Sequence, residues 1–92
     1  MHIAKHLTIT GRVQGVGYRA WFTGQARRAG LTGWVRNRTD GTVEATIAGD
    51  PDIVELFLTT CWEGPPAARV DGIETTDTTL PNTKEFQRLE TI

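Results

Sequence analysis

The stretch from Ile3 to Arg19, Ile-Ala-Lys-His-Leu-Thr-Ile-Thr-Gly-Arg-Val-Gln-Gly-Val-Gly-Tyr-Arg, decides the fold. Its first eight residues alternate, with Ile3, Lys5, Leu7 and Ile9 on one side and Ala4, His6, Thr8 and Thr10 on the other. A period of two with β-branched residues predicts a strand. Residues 11 to 19 then read as a glycine-rich loop ending in an arginine where a helix begins. Gly15 and Gly17 let successive peptide N–H groups turn inward as a concave nest. The helix adds its unpaired N-terminal donors and the positive end of its dipole. Arg19, in the first turn, contributes a permanent fork-shaped cation matched to phosphate or carboxylate. A cation there runs against the helix dipole, a misfit that an anion would resolve. The loop lacks the Gly-Lys-Ser/Thr ending of a nucleotide P-loop, and Ala20 leaves Gly-x-Gly-x-x-Gly incomplete. A small phosphorylated compound is therefore expected, not ATP or NAD.

Outward from this stretch, Tyr18, Phe22, Ala26 and Ala29 recur at helical spacing, with Arg27 and Arg28 opposite. Gly30 stops the helix. A second strand begins at Trp34 and Val35 and ends near Asn37. Thr39-Asp40-Gly41 signals a hairpin into a third strand on which Val43, Ala45 and Ile47 alternate. Asp50 as N-cap and Pro51 at the first helical position open a second helix. Its apolar stripe is Val54, Phe57, Leu58 and Cys61, and Gly64-Pro65-Pro66 ends it. A threonine-rich strand is expected from about Arg69 to Thr78, and a short extra strand within Glu85 to Thr91. Trp34 and Phe22 are assigned to the core, Arg36 and Arg38 to solvated strand ends.

The order β-α-β-β-α-β predicts a single α+β domain over residues 1–92. It is the ferredoxin-like sandwich, an antiparallel sheet with two helices on one face. In that topology strands one and two run parallel with strand three between them. Their carboxyl ends then lie roughly 10 Å apart on one sheet edge, where ligands of βα units gather. Arg19 and Asn37 are thereby expected to face one ligand.

The 92 residues carry a formal net charge of -1, so nothing global advertises nucleic acid or an anionic membrane. The single Cys61 excludes an intrachain disulfide and suits a reducing cytoplasm. Met-His-Ile-Ala-Lys-His shows neither signal peptide nor membrane span. His2 and His6 have no carboxylates at ligand spacing, so no metal and no cofactor are expected. A chain of this size is expected to act as a monomer on a small molecule, without nucleic acid or membrane.

Residues 9–19, Ile-Thr-Gly-Arg-Val-Gln-Gly-Val-Gly-Tyr-Arg, resemble the first signature of the acylphosphatase family. Residues 33–49, Gly-Trp-Val-Arg-Asn-Arg-Thr-Asp-Gly-Thr-Val-Glu-Ala-Thr-Ile-Ala-Gly, resemble its second, at family spacing. The element order carries the resemblance over essentially the whole chain. Tyr18 stands where the family usually has phenylalanine. The C-terminal strand is similar only loosely, and no functional residue is drawn from it. The resemblance implies hydrolysis of the carboxyl–phosphate bond of acyl phosphates, without metal or phosphoenzyme. It implies a substrate-binding set of Gln14, Gly15, Val16, Gly17, Tyr18 and Arg19, and catalytic roles for Arg19 and Asn37, the latter positioning the attacking water.

The residues' own chemistry agrees with that implication. Phosphoryl transfer needs positioning and charge stabilisation more than covalent help. A carboxylate leaving group departs without a strong general acid, and none stands near the motifs. Two other readings compete. A single-stranded RNA binder of this topology wants rings on its central strands, whereas Ile3, Leu7, Ile9, Val43 and Ile47 offer none. A non-catalytic anion-binding module could use the same loop without turnover.

Overall fold

Seven elements follow one another in the computed structural model, which describes residues 1–92: β1 (Ile3–Arg12), α1 (Tyr18–Arg28), β2 (Thr32–Asn37), β3 (Val43–Gly49), α2 (Pro51–Cys61), β4 (Arg69–Asp77) and β5 (Phe86–Arg88). The strands make one sheet in the order β4-β1-β3-β2-β5. The first four elements of that order are the ferredoxin-like arrangement, and β5 adds an edge. β5 pairs with β2 in parallel while every other pair is antiparallel, so the sheet is mixed rather than purely antiparallel. β1 also runs two residues past the expected Thr10, because Gly11 and Arg12 still pair with β4 after a register shift at Thr10/Gly11. The extra residue of this bulge, Asp71, lies on β4, while β1 continues without interruption into the loop.

The sheet's two faces follow from the alternation. Leu7, Ile9, Val35, Val43, Ala45 and Ile47 are fully buried on the helix side. Phe22 and Ala26 of α1 and Val54, Phe57 and Cys61 of α2 close over them. Phe22 packs edge-on against Phe57 at 5.3 Å between ring centres and tilts over Phe86 at 5.6 Å. Burial of each such side chain contributes roughly 1.5–3 kcal/mol. Helix α2 starts as the sequence predicts: Asp50 Oδ1 accepts from the amide of Asp52, with Pro51 at the first helical position. Neither helix is long and apolar enough to cross a membrane.

The uncovered face overturns three assignments. Trp34 is not core: it lies on the open face, half-buried, with the Arg36 guanidinium 4.6 Å above its ring. Because Val35 is in the core, its strand neighbour must point the other way. Nor are Arg36 and Arg38 free charges, since both bind Glu44 Oε1, at 3.0 and 3.2 Å. The other oxygen of Glu44 meets His6 Nε2 at 2.7 Å. Burial pushes the Glu44 carboxyl up, but the bonds from His6, Arg36 and Arg38 outweigh it and hold the group below its ordinary range. The open face also bears on RNA. The residues weighed for rings face the helices, and on the open face the central strands offer His6, Thr8, Glu44 and Thr46. The only ring among them, that of His6, is tied to Glu44.

Candidate active site

The connection between β1 and α1 builds the site. Gly15 and Gly17 occupy the left-handed region, at φ 72° and 82°, and no other residue type in the chain has positive φ, so Val16 between them does not. That alternation turns consecutive amides to one side. A Cβ at either glycine would meet nothing within 4 Å, so backbone conformation rather than space demands glycine there. The amides of Gly15, Val16 and Gly17 donate to no backbone carbonyl. The first-turn amides of α1 have no partner within the helix, which carries neither a side-chain cap nor an acidic first-turn residue. A run of free donors therefore opens at the positive end of a helix dipole.

Gln14 anchors this loop. Its Nε2 donates to the carbonyls of Arg38 and Thr42, at 2.8 and 2.9 Å, using both of its hydrogens on the β2–β3 turn. That turn is itself closed by the amide and hydroxyl of Thr42 donating to Asp40 Oδ1. The hydroxyl bond, ahead of the amide bond, keeps the Asp40 carboxyl below its usual range.

A cavity of about 140 Å³ opens beside the loop. Val13, Gln14, Gly15, Gly17 and Tyr18 line it from the loop side, Arg19 and Ala20 from α1, Asn37 from the end of β2 and Arg88 from β5. The structure thus brings together Arg19, Asn37 and all of the expected binding set except Val16, which packs against the core and does not line the cavity. Tyr18 is spent structurally: its hydroxyl donates to the Cys61 carbonyl at 2.8 Å, and burial pushes its ionisation far above the ordinary range. Its ring leans on Trp21 at 5.4 Å, forming a wall. Burial likewise pushes the free thiol of Cys61 up to about 12, which makes it an inert core residue.

The electrostatics of the cavity are one-sided. Arg19 Nη1 donates to the Leu89 carbonyl at a long 3.4 Å, and no carboxylate reaches its guanidinium. The ion pairs of the chain engage Lys5, Arg36, Arg38 and Arg69, never Arg19 or Arg88. Partial burial, and after it the Arg88 charge, hold Arg19 below its ordinary pKa. It nevertheless stays charged at any pH of interest. Asn37 shows the complementary feature. Its Oδ1 is the one buried side-chain polar atom of the chain without a hydrogen-bond partner. Such an orphan acceptor costs about 1–3 kcal/mol until a donor arrives.

Arg88 is the residue that sequence reasoning missed. Its strand is three residues long, and its place opposite Val35 depends on a parallel pairing more than fifty positions away in sequence. Size does not pick out the site either. A larger hollow of about 240 Å³ lies between α1 and α2, but its lining is mainly apolar, with Ala29, Ile53, Leu56 and Phe57, and includes no residue of the glycine loop.

An α+β sandwich with a glycine loop of free amides at the carboxyl ends of two parallel strands defines the class of this domain. The sequence model of the acylphosphatase family matches residues 5–88, and the chain belongs to that family. It is 59% identical over 71 residues to an acylphosphatase of Acidiphilium cryptum, covering 77% of this chain and 78% of that protein. An acylphosphatase of an Acidovorax species is 47% identical over 90 residues, covering 98% and 93%. Among solved structures, an acylphosphatase from Coxiella burnetii superimposes with a TM-score of 0.91 at 32% identity, covering 96% of this chain and 93% of that one.

Proposed function

We propose that this chain is an acylphosphatase that hydrolyses the carboxyl–phosphate bond of acyl phosphates by direct attack of water. The observation that carries the reading is Asn37, whose side chain has an unspent acceptor, lining the same cavity as Arg19 and the glycine loop. The phosphoryl oxygens lie on the amides of residues 15 to 19 and on the Arg19 guanidinium, donors preorganised for charge that spreads over three oxygens in the transition state. Asn37 orients the attacking water through its side-chain amide, so that the water's lone pair faces phosphorus. The O–P bond to water forms as the bond to the acyl oxygen breaks, and that electron pair leaves on the carboxylate. The water's proton passes to a phosphoryl oxygen, giving carboxylate and inorganic phosphate. No carboxylate lines the cavity to serve as general base, which is why the substrate takes the proton.

The same lining supports a route without metal, since a hard divalent cation would find no anionic ligand there. Every group in the scheme comes from one chain, in keeping with a monomer, and the unpaired Cys61 fits the cytoplasm. Release of acid and phosphate from benzoyl phosphate, with and without excess EDTA, tests the proposal. Turnover is expected in both conditions. Phosphate binding without turnover would instead identify a non-catalytic anion-binding module, and activity restored only by added metal would refute the metal-free route.

A further inference from the structure

Ten lysines and arginines are present, and five are spent within the fold. Lys5, Arg36, Arg38 and Arg69 have carboxylate partners, and Arg27 donates twice to the Phe86 carbonyl. Arg19 and Arg88 are different: they line one cavity, no acidic residue lines it with them, and neither has an ion-pair partner. The placement of Arg88 follows from the sheet. In β5 it has the same parity as the fully buried Phe86, and it lies opposite the core residue Val35 of β2. Its side chain therefore leaves the sheet on the helix side, two positions short of the level of Asn37 along the strands, and reaches the cavity with its head exposed. The adjoining carbonyl, that of Leu89, is the one that receives Arg19 Nη1.

Two like charges held together without a counter-ion repel, and here the Arg88 charge already depresses Arg19 after burial has done so. A fold tolerates such a pair where an anion is meant to lie between them. We propose that Arg88 is a second substrate-binding cation, closing on the phosphoryl group from the β5 side so that the cavity selects the dianionic over the monoanionic form. The inference rests on the phosphoryl-binding part of the proposed function but not on turnover. The loop amides and Arg19 hold the phosphoryl group from one side, and the second guanidinium supplies the charge that matches its second ionisation. Nothing else in the lining could do so, because Gln14 and Asn37 are neutral and Tyr18 is committed to Cys61.

The test is calorimetric titration of the intact protein with inorganic phosphate between about pH 5.5 and 8, a range that brackets its second ionisation. Wild type, Arg88→Gln and Arg88→Lys are compared. Wild-type affinity is expected to rise as the dianion forms. Arg88→Gln should weaken binding at the upper pH by about tenfold, as loss of one charge-assisted contact implies, and much less at the lower pH. Arg88→Lys should restore most of the pH dependence, because it keeps the charge. Equal affinity of wild type and Arg88→Gln at the upper pH overturns the proposal, as does a loss that is the same at both ends of the range, which is what a purely structural role predicts. A wild type that binds phosphate with this pH dependence yet leaves benzoyl phosphate intact would sink the catalytic reading and spare Arg88. Turnover by a wild type whose phosphate affinity ignores Arg88→Gln would do the reverse.

Discussion

The open face of the sheet and the cavity at its edge both gather arginines around a short polar side chain, yet they do opposite things with them. On the open face Glu44 is surrounded by His6, Arg36 and Arg38, and both carboxylate oxygens are engaged. At the cavity Arg19 and Arg88 face no carboxylate, Asn37 Oδ1 accepts nothing, and the loop amides have no backbone partners. A satisfied cluster has no binding capacity left and acts on stability. A cluster left unsatisfied at a cost is held ready for a ligand. Charge alone therefore does not mark a functional site, and unspent hydrogen-bonding capacity does.

The strongest way to break this contrast is to remove the unspent groups. Arg19→Ala and Asn37→Ala should each lower kcat for benzoyl phosphate by about 10²–10³, the usual cost of one preorganised donor or orienting group. Stability should hardly change in Arg19→Ala, since the only side-chain hydrogen bond of Arg19 is the long one to Leu89. Asn37→Ala should be neutral or slightly stabilising, because it deletes a buried acceptor that has no partner. Near-wild-type turnover in either variant, checked with urea unfolding alongside, would end the case for the cavity as the reaction centre.

Glu44→Gln should behave in the converse way. It leaves two guanidiniums and an imidazole without their shared anion, and a loss of about 1–3 kcal/mol in urea unfolding is expected for this half-exposed network. Turnover should stay near wild type, because Glu44 lies on the opposite face from the cavity. The acid limb sharpens the test. In the fold the Glu44 carboxyl is held below its ordinary value of 4.5, so its contribution to stability is present above that value. It is lost as pH falls through the depressed folded one. Glu44→Gln should flatten this part of the stability–pH profile. An unchanged profile would mean that the bonds drawn to Glu44 add nothing in solution.

Much of this was legible in the chain, for identifiable reasons. Alternation in Ile3 to Thr10, the Asp50-Pro51 cap and the glycines around Val16 are local signals, and each lies within a few residues of what it controls. The convergence of Arg19 and Asn37 came from topology, since strands one and two of a split βαβ unit end on the same edge. What escaped depended on register. That Arg36 sits beside Glu44, or Arg88 beside Val35, is fixed by cross-strand pairing that no periodicity reveals. Trp34 was a different failure: its size suggested the core, although its neighbour Val35 had already claimed the inward direction. Along this strand parity, not hydropathy, decides which side chain enters the core.

Smaller effects separate the loop's shape from its chemistry. Gly17→Ala meets no atom but must hold φ near 82°, which costs roughly 1–2 kcal/mol for an L-residue. Turnover should fall with stability, because the amides rotate as the strain relaxes. A variant equally stable and equally active would mean that the left-handed turn is not needed. The gentlest change is Tyr18→Phe. It keeps the ring against Trp21 and Phe22 but strips the donor from the Cys61 carbonyl at the end of α2. One buried hydrogen bond is worth about 0.5–1.5 kcal/mol, so the urea midpoint should drop slightly with its slope unchanged. Were stability instead to rise, the hydroxyl would be a burden the core tolerates rather than a tie from loop to helix. Tyr18 would then belong with the unsatisfied groups of the cavity, not with the satisfied ones of the fold.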